Sequence, residues 1–295
     1  MGRCTRGKLE LRIETGLKQI HLREHTLDLS RPRLMGVLNL TPDSFSDGGR
    51  YTTLQAALEQ ARRMVAEGAD LLDLGGESTR PGAEPVSAEE EKCRVLPVLE
   101  ALLPLGVPLS IDTRKPEVAA EALALGAHLL NDVTGLRDER MAALAARYGV
   151  PAVVMHMPVP DPATMQQHAR YTDVVGEVKA FLQAQAHQAL RAGVPQVVLD
   201  PGIGFGKTLE HNLELIRRLD ELVALGHPVL LGASRKRFIG TLTGVEAAAE
   251  RVAGTVAAHL FGVSRGARLL RVHDVKAHRE ALAVWEALAQ EVARG

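Results

Sequence analysis

Glu67-Gly68-Ala69-Asp70-Leu71-Leu72-Asp73-Leu74-Gly75-Gly76-Glu77 holds the end of one helix, a stop, a strand and the polar residues after it. The helical pattern of Thr53–Glu67 halts at Gly68, and glycine just past a last turn takes the left-handed conformation that closes a helix. The apolar run over 70–75 then reads as a strand covered on both faces, as strands of parallel sheets are. The helix–glycine–strand phrase returns at Leu125-Gly126-Ala127, Tyr148-Gly149-Val150 and Ala192-Gly193-Val194.

Working outward, strands are expected near 34–39, 70–75, 107–112, 128–132, 151–155, 196–200, 228–232 and 268–272. Helical segments are expected at Thr53–Glu67, Ala88–Leu103, Glu117–Leu125, 138–147, 171–192, 209–224, 246–261 and 275–292. Eight strand–helix units predict an α/β chain closed into a (β/α)8 TIM barrel. The alternative, an open doubly wound sheet, would carry a phosphate fingerprint. Gly202-Ile203-Gly204-Phe205-Gly206-Lys207-Thr208 ends like a P-loop, but Pro201 holds that motif's first position, and no GxGxxG forms there. The first thirty residues differ: Leu9–Ile13 and Ile20–Leu22 alternate around Thr15-Gly16, which reads as a hairpin. The expected layout is a hairpin extension at 1–30 and a catalytic barrel at 31–295.

Composition narrows the class. The chain is 46% hydrophobic over 295 residues, enough for a large core, and its formal net charge of -1 argues against a general nucleic-acid or membrane-surface binder. Cys4 and Cys93 form no CxxC pair and no disulfide framework, and no run approaches the ~18 apolar residues of a membrane span. A cytoplasmic protein is expected.

Polar residues recur where strands should end: Asn39, Asp73 with Glu77, Asp112, Asn131-Asp132, Asp200, Ser234-Arg235-Lys236, then Arg271 and His273. In a parallel barrel these ends share one rim, where catalytic groups sit. Each has a plainer reading alone. Asp112-Thr113 before Pro116 would serve as a helix cap, Asn131-Asp132 as a turn, and Arg271 as a surface ion-pair residue. Capping alone does not explain a polar residue at the same place in nearly every unit.

Seven segments carry a family resemblance. Met35-Gly36-Val37-Leu38-Asn39-Leu40-Thr41-Pro42-Asp43-Ser44-Phe45-Ser46-Asp47-Gly48-Gly49 resembles the first signature of the dihydropteroate synthases, and Asp73-Leu74-Gly75-Gly76-Glu77-Ser78-Thr79-Arg80-Pro81-Gly82 the second. Ser110–Thr113, Asn131–Val133, Asp200–Lys207, Ser234–Lys236 and Arg271–Val275 follow in the family's order. The resemblance implies condensation of 6-hydroxymethyl-7,8-dihydropterin diphosphate with p-aminobenzoate, giving dihydropteroate and diphosphate. Implied pterin contacts are Asp112, Asn131, Met155, Asp200, Lys236 and Arg271, with Asp43, Asp112 and Lys236 catalytic. Thr79, Arg271 and His273 would hold the diphosphate, and Asn39 would offer a neutral oxygen to Mg2+. Phe45, Pro81, Phe205, Lys207 and Ser234 would contact p-aminobenzoate; for Phe45 and Phe205, ordinary loop packing weighs equally. An aryl amine is already nucleophilic, so positioning and charge stabilisation would dominate an SN1-like path. Relatives are usually homodimers, and helix 246–261 would suit either an interface or the core.

Two departures stand out: Arg237, where some relatives carry serine, and the proline-rich stretch His156–Pro162. His21-Leu22-Arg23-Glu24-His25 matches the spacing of a zinc-protease motif, but that motif needs a helix and this segment alternates like a strand. Rival readings are a pterin-binding methyltransferase, with little use for Lys236, and a catalytically silent pterin-binding paralogue.

Overall fold

The computed structural model describes residues 18–41, 50–78 and 84–292. It opens with a hairpin, β1 (Gln19–Leu22) antiparallel to β2 (His25–Asp28), with Leu22 opposite His25. The hairpin seen here pairs Gln19–Leu22 with the strand that follows it. Leu9–Ile13 lies outside the described residues, and the turn is Arg23-Glu24. Arg23 sits at φ +56°, a conformation that usually selects glycine or asparagine. Tertiary bonds hold it there: its guanidinium donates to Leu123 O at 2.6 Å and Ala127 O at 2.9 Å.

Eight parallel strands follow: β3 (Arg33–Asn39), β4 (Leu71–Gly75), β5 (Leu109–Asp112), β6 (Leu129–Asp132), β7 (Ala152–Met155), β8 (Val197–Asp200), β9 (Leu230–Leu231) and β10 (Leu269–Val272). Strand β10 pairs with β3, Arg271 beside Met35. Between β8 and β9 the ladder shrinks to a Leu199–Val229 bridge and a bond from Leu199 N–H to Pro228 O of 2.8 Å. The barrel is thus nearly closed, with one thin seam.

Around it run α1 (Arg50–Ala66), α2 (Ala88–Leu102), α3 (Pro116–Leu125), α4 (Glu139–Tyr148), α5 (Val174–Arg191), α6 (Leu209–Arg217), α7 (Asp220–Val223), α8 (Arg237–Thr243), α9 (Val252–Ser264) and α10 (Val275–Val292). Gly68, Gly126, Gly149 and Gly193 all carry positive φ at the ends of helices, as their place in the sequence predicts. Helix α8 lies outside the expected segments, the expected 209–224 helix is divided into α6 and α7, and α9 begins after the expected 246, preceded by a 3-10 turn at Ala248–Glu250. No helix among the described residues is long and apolar enough to cross a membrane.

Strand alternation sorts the side chains. Leu72, Leu74, Ile111, Leu130, Val154, Leu199, Leu231 and Leu270 face outward and join the helices in one large apolar cluster. Met35, Leu71, Leu129, Val153, Val198, Leu230 and Leu269 face inward as a layer near the strand starts. Ile20, Leu22, Leu27 and Leu29 of the hairpin segment belong to that same cluster, so they form the barrel's floor. Two residues further along each strand the inward parity falls on Val37, Asp73, Asn131, Met155, Asp200 and Arg271, with Ser110 and Asp112 on β5. The interior thus turns from apolar to charged within one step of the pleat.

Candidate active site

That step places Asp73 from β4, Asp112 from β5, Asn131 from β6 and Arg271 from β10 in one hydrogen-bonded cluster. Arg271 Nε donates to Asp73 Oδ2 at 2.6 Å, and its Nη2 to Asp112 Oδ2 at 2.7 Å. Asn131 Nδ2 donates to the same Asp73 Oδ2 at 3.0 Å. Asp73 is wholly buried, and its Oδ1 has no partner. Burial opposes the Arg271 cation, yet Asp73 and Asp112 hold it above the ordinary arginine range. Burial, reinforced by Asp73, raises Asp112 to about 7 even against the pull of Arg271. One cation faces two carboxylates here.

Asp200 completes the inner ring. Its Oδ1 accepts the Gly202 N–H at 2.7 Å, and burial raises its pKa against that bond and the nearby Lys236 and Arg271 charges. At Gly202, φ is +68° and a Cβ would lie 1.9 Å from His156 O, so only glycine lets the chain turn there. Met155 joins Val133, Met157 and Met165 in a small apolar cluster, with Phe205 packed on it. Lys236 Nζ lies 4.1 Å from the Phe205 ring centroid, a cation–π contact. Phe205 is therefore both packed in its loop and turned toward Lys236.

Two of the residues expected to contact p-aminobenzoate bond to neighbouring protein groups. Lys207 is buried, and its ammonium donates to His156 Nδ1 at 3.0 Å, His156 O at 3.3 Å and Phe205 O at 2.9 Å. With three acceptors around its ammonium, it pins the 200–207 loop. Burial lowers it to about 7 and lowers His156 to about 2, so the imidazole is the neutral acceptor. Ser234 Oγ accepts the His273 N–H at 3.2 Å and lies 2.9 Å from His273 Nδ1, so it orients that ring. Burial and the Arg271 and Arg235 charges lower His273 to about 3, so its imidazole is neutral. Asp132 faces outward and caps its own turn through Thr134 and Leu136.

Asn39, half-buried, opens with His273 onto a cavity of about 590 Å³ whose wall carries Arg63, Arg235 and Lys276 alongside Glu67, Asp274 and Glu280. Asp43, Phe45, Thr79 and Pro81 lie outside the described residues. Asp73 and Arg235 were not among the expected contacts. The parity of β4, with Leu71 and Asp73 on one face, would have exposed the first.

Among the described residues Glu24, His25 and His128 form a group with metal-ligand chemistry. His128 Nδ1 accepts the Leu109 N–H at 3.0 Å, which leaves the imidazole proton on Nε2, the atom a metal would need. That Nε2 meets Glu24 Oε1 at 3.1 Å instead, clasping the hairpin to the barrel. The zinc-like motif lies on β1, its turn and β2, not on a helix.

The fold and its charged inner rim match a known class: residues 35–273 fit the profile of the pterin binding enzymes. A dihydropteroate synthase of Neisseria meningitidis serogroup B is 53% identical over 89% of this chain and 94% of that protein. The Thermus thermophilus dihydropteroate synthase, solved with 4-aminobenzoate, is 74% identical with a TM-score of 0.85, covering 92% of this chain and 99% of that one. The Xanthomonas albilineans dihydropteroate synthase, solved with 7,8-dihydropteroate, is 48% identical with a TM-score of 0.83, covering 92% and 98%. The chain belongs to the dihydropteroate synthase family.

Proposed function

We propose that this chain is a transferase of folate biosynthesis, condensing 6-hydroxymethyl-7,8-dihydropterin diphosphate with p-aminobenzoate to give 7,8-dihydropteroate and diphosphate. The observation that carries the reading is the inner ring of Asp73, Asp112, Asn131, Asp200 and Arg271, with Lys236 above it. A pterin offers paired N–H donors on one edge and acceptors beside them, matching Asp200 and Asn131 on one side and Lys236 on the other. Contact with those donors favours ionised Asp200, offsetting its burial. Met155 would pad the ring and Arg271 stack on it.

The methylene C–O bond breaks with its electron pair going to the diphosphate. Asp112 faces the cation that remains, and Asp43 of the first signature would add a second carboxylate. The neutral aryl amine then attacks the methylene carbon and releases a proton to solvent. Phe205 would line the p-aminobenzoate side with Phe45 and Pro81; Lys207 and Ser234 act through the loops they hold.

Arg271, His273 and Thr79 would receive the diphosphate, with Arg235 near. Asn39 supplies one neutral oxygen at the cavity mouth, which suits a Mg2+ held mainly by phosphate oxygens and water. When bound, that ion would neutralise charge on the leaving group. A homodimer is proposed from the outer stripe of α9, where Ala253, Ala257 and Phe261 are exposed, and from exposed Leu242 on α8. The cytoplasm is the proposed location.

The test is diphosphate release from the pterin diphosphate with Mg2+, with and without p-aminobenzoate, for wild type and Lys236→Ala. Stoichiometric dihydropteroate from wild type and a large loss in the variant are expected. Tight pterin binding without turnover would instead indicate a silent paralogue.

A further inference from the structure

The loop Ala233-Ser234-Arg235-Lys236 leaves β9 and is gripped by one face of α9. Ala233 N–H donates to His259 Nε2 at 3.1 Å, Arg235 N–H to Thr255 Oγ1 at 3.1 Å, and Arg251 Nη1 to Arg235 O at 3.1 Å. Arg251, Thr255 and His259 are four residues apart, so they form one stripe along the helix. Thr255 and His259 are wholly buried. The helix comes close enough because Gly254 and Gly262 face Ile239 and Leu231, where a Cβ would lie 2.4 and 2.2 Å from those side chains.

The grip continues to the next strand. A backbone N–H only donates, so His259 Nε2 accepts and its proton lies on Nδ1, aimed at His278 Nε2 at 2.8 Å. The His278 proton then lies on Nδ1, 2.7 Å from Asp274 O. Arg235 returns to the Asp274 carboxylate at 2.9 and 2.5 Å, closing a ring of bonds that links the ends of β9 and β10. Within it Arg235 is held at φ +59°, a conformation a non-glycine residue keeps only when its surroundings impose it. Lys236 is the next residue. Apolar side chains would bury this helix face as well; the polar ones each meet a particular group of the loop.

We propose that Arg251, at the cap of α9, and Thr255 and His259 within it are positioning residues that set Lys236 for the pterin diphosphate. This rests on the reading of Lys236 as a pterin contact.

The test compares Thr255→Val, which keeps the shape and loses the hydroxyl, with Thr255→Ser, which keeps the hydroxyl. Pterin diphosphate affinity by calorimetry and kcat/KM are measured well below each variant's unfolding midpoint. Thr255→Val should lose about tenfold to a hundredfold in both, and Thr255→Ser should recover most of it. In a Lys236→Ala background, Thr255→Val should cost far less affinity than in wild type. Wild-type affinity and turnover in Thr255→Val, or an equal loss with and without Lys236, would overturn the proposal. If Thr255→Val does not fold, Arg251→Lys, a half-exposed rung, is read the same way. Unchanged pterin affinity in Lys236→Ala would instead overturn the reading of Lys236 itself.

Discussion

Asp73 Oδ2 and Arg271 Nε meet at 2.6 Å across 198 positions of sequence, joining β4 to β10 inside the barrel. Removing the shared cation strands both buried carboxylates, at a cost of roughly 3–5 kcal/mol. Arg271→Gln should therefore lower unfolding free energy in urea by about that amount, and weaken pterin binding because Asp73 and Asp112 lose their common anchor. Adding Asp73→Asn should restore part of the stability and none of the binding. A single variant as stable as wild type would show that the pair does not hold the two strands.

Asp112 tests the charge requirement. Its carboxyl titrates near 7 because burial and Asp73 oppose ionisation. Only the ionised form stabilises a cation, so kcat/KM for the pterin diphosphate should fall as pH drops through about 7. Asp112→Asn should lose about a hundredfold and lack that limb. A limb that persists in the variant belongs to another group.

Lys207 makes a stability prediction with a defined sign. Its pKa is lowered from 10.5 to about 7, so between those values the folded chain binds fewer protons than the unfolded one. Stability then rises with pH across that window, and the contribution is lost as pH falls through about 7. Lys207→Met should remove that rise in denaturation curves taken from pH 7 to 10. It should also loosen the 200–207 loop, read as faster exchange of the Gly202 amide.

Leu22, wholly buried in the floor cluster, separates stability from catalysis. Leu22→Ala should cost about 2–5 kcal/mol in unfolding free energy while leaving KM for both substrates within twofold at 25 °C. A raised pterin KM would mean that the floor communicates with the rim.

Much of this was readable from the chain because period-2 alternation and glycine stops are local. Gly68 ends α1 for a reason visible in one turn of sequence, and Asn131 and Asp200 share an inward parity along their strands. The rest depends on distance. Arg23 holds a turn because the end of α3 and the loop after it offer carbonyls a hundred residues away, and nothing in Leu22-Arg23-Glu24-His25 says so. Lys207 has four rotatable carbons, and sequence does not tell which acceptor its ammonium will find. The seven residues of α8 are too short for a periodic pattern to stand out.

The hairpin's apolar face has a consequence for traffic. It stoppers the far end of the barrel, so among the described residues the rim is the single doorway. Two reactants and two products must share it, and the diphosphate departs by the route the amine takes in. With a single door for both directions, a lingering diphosphate would throttle the enzyme simply by standing in the entrance.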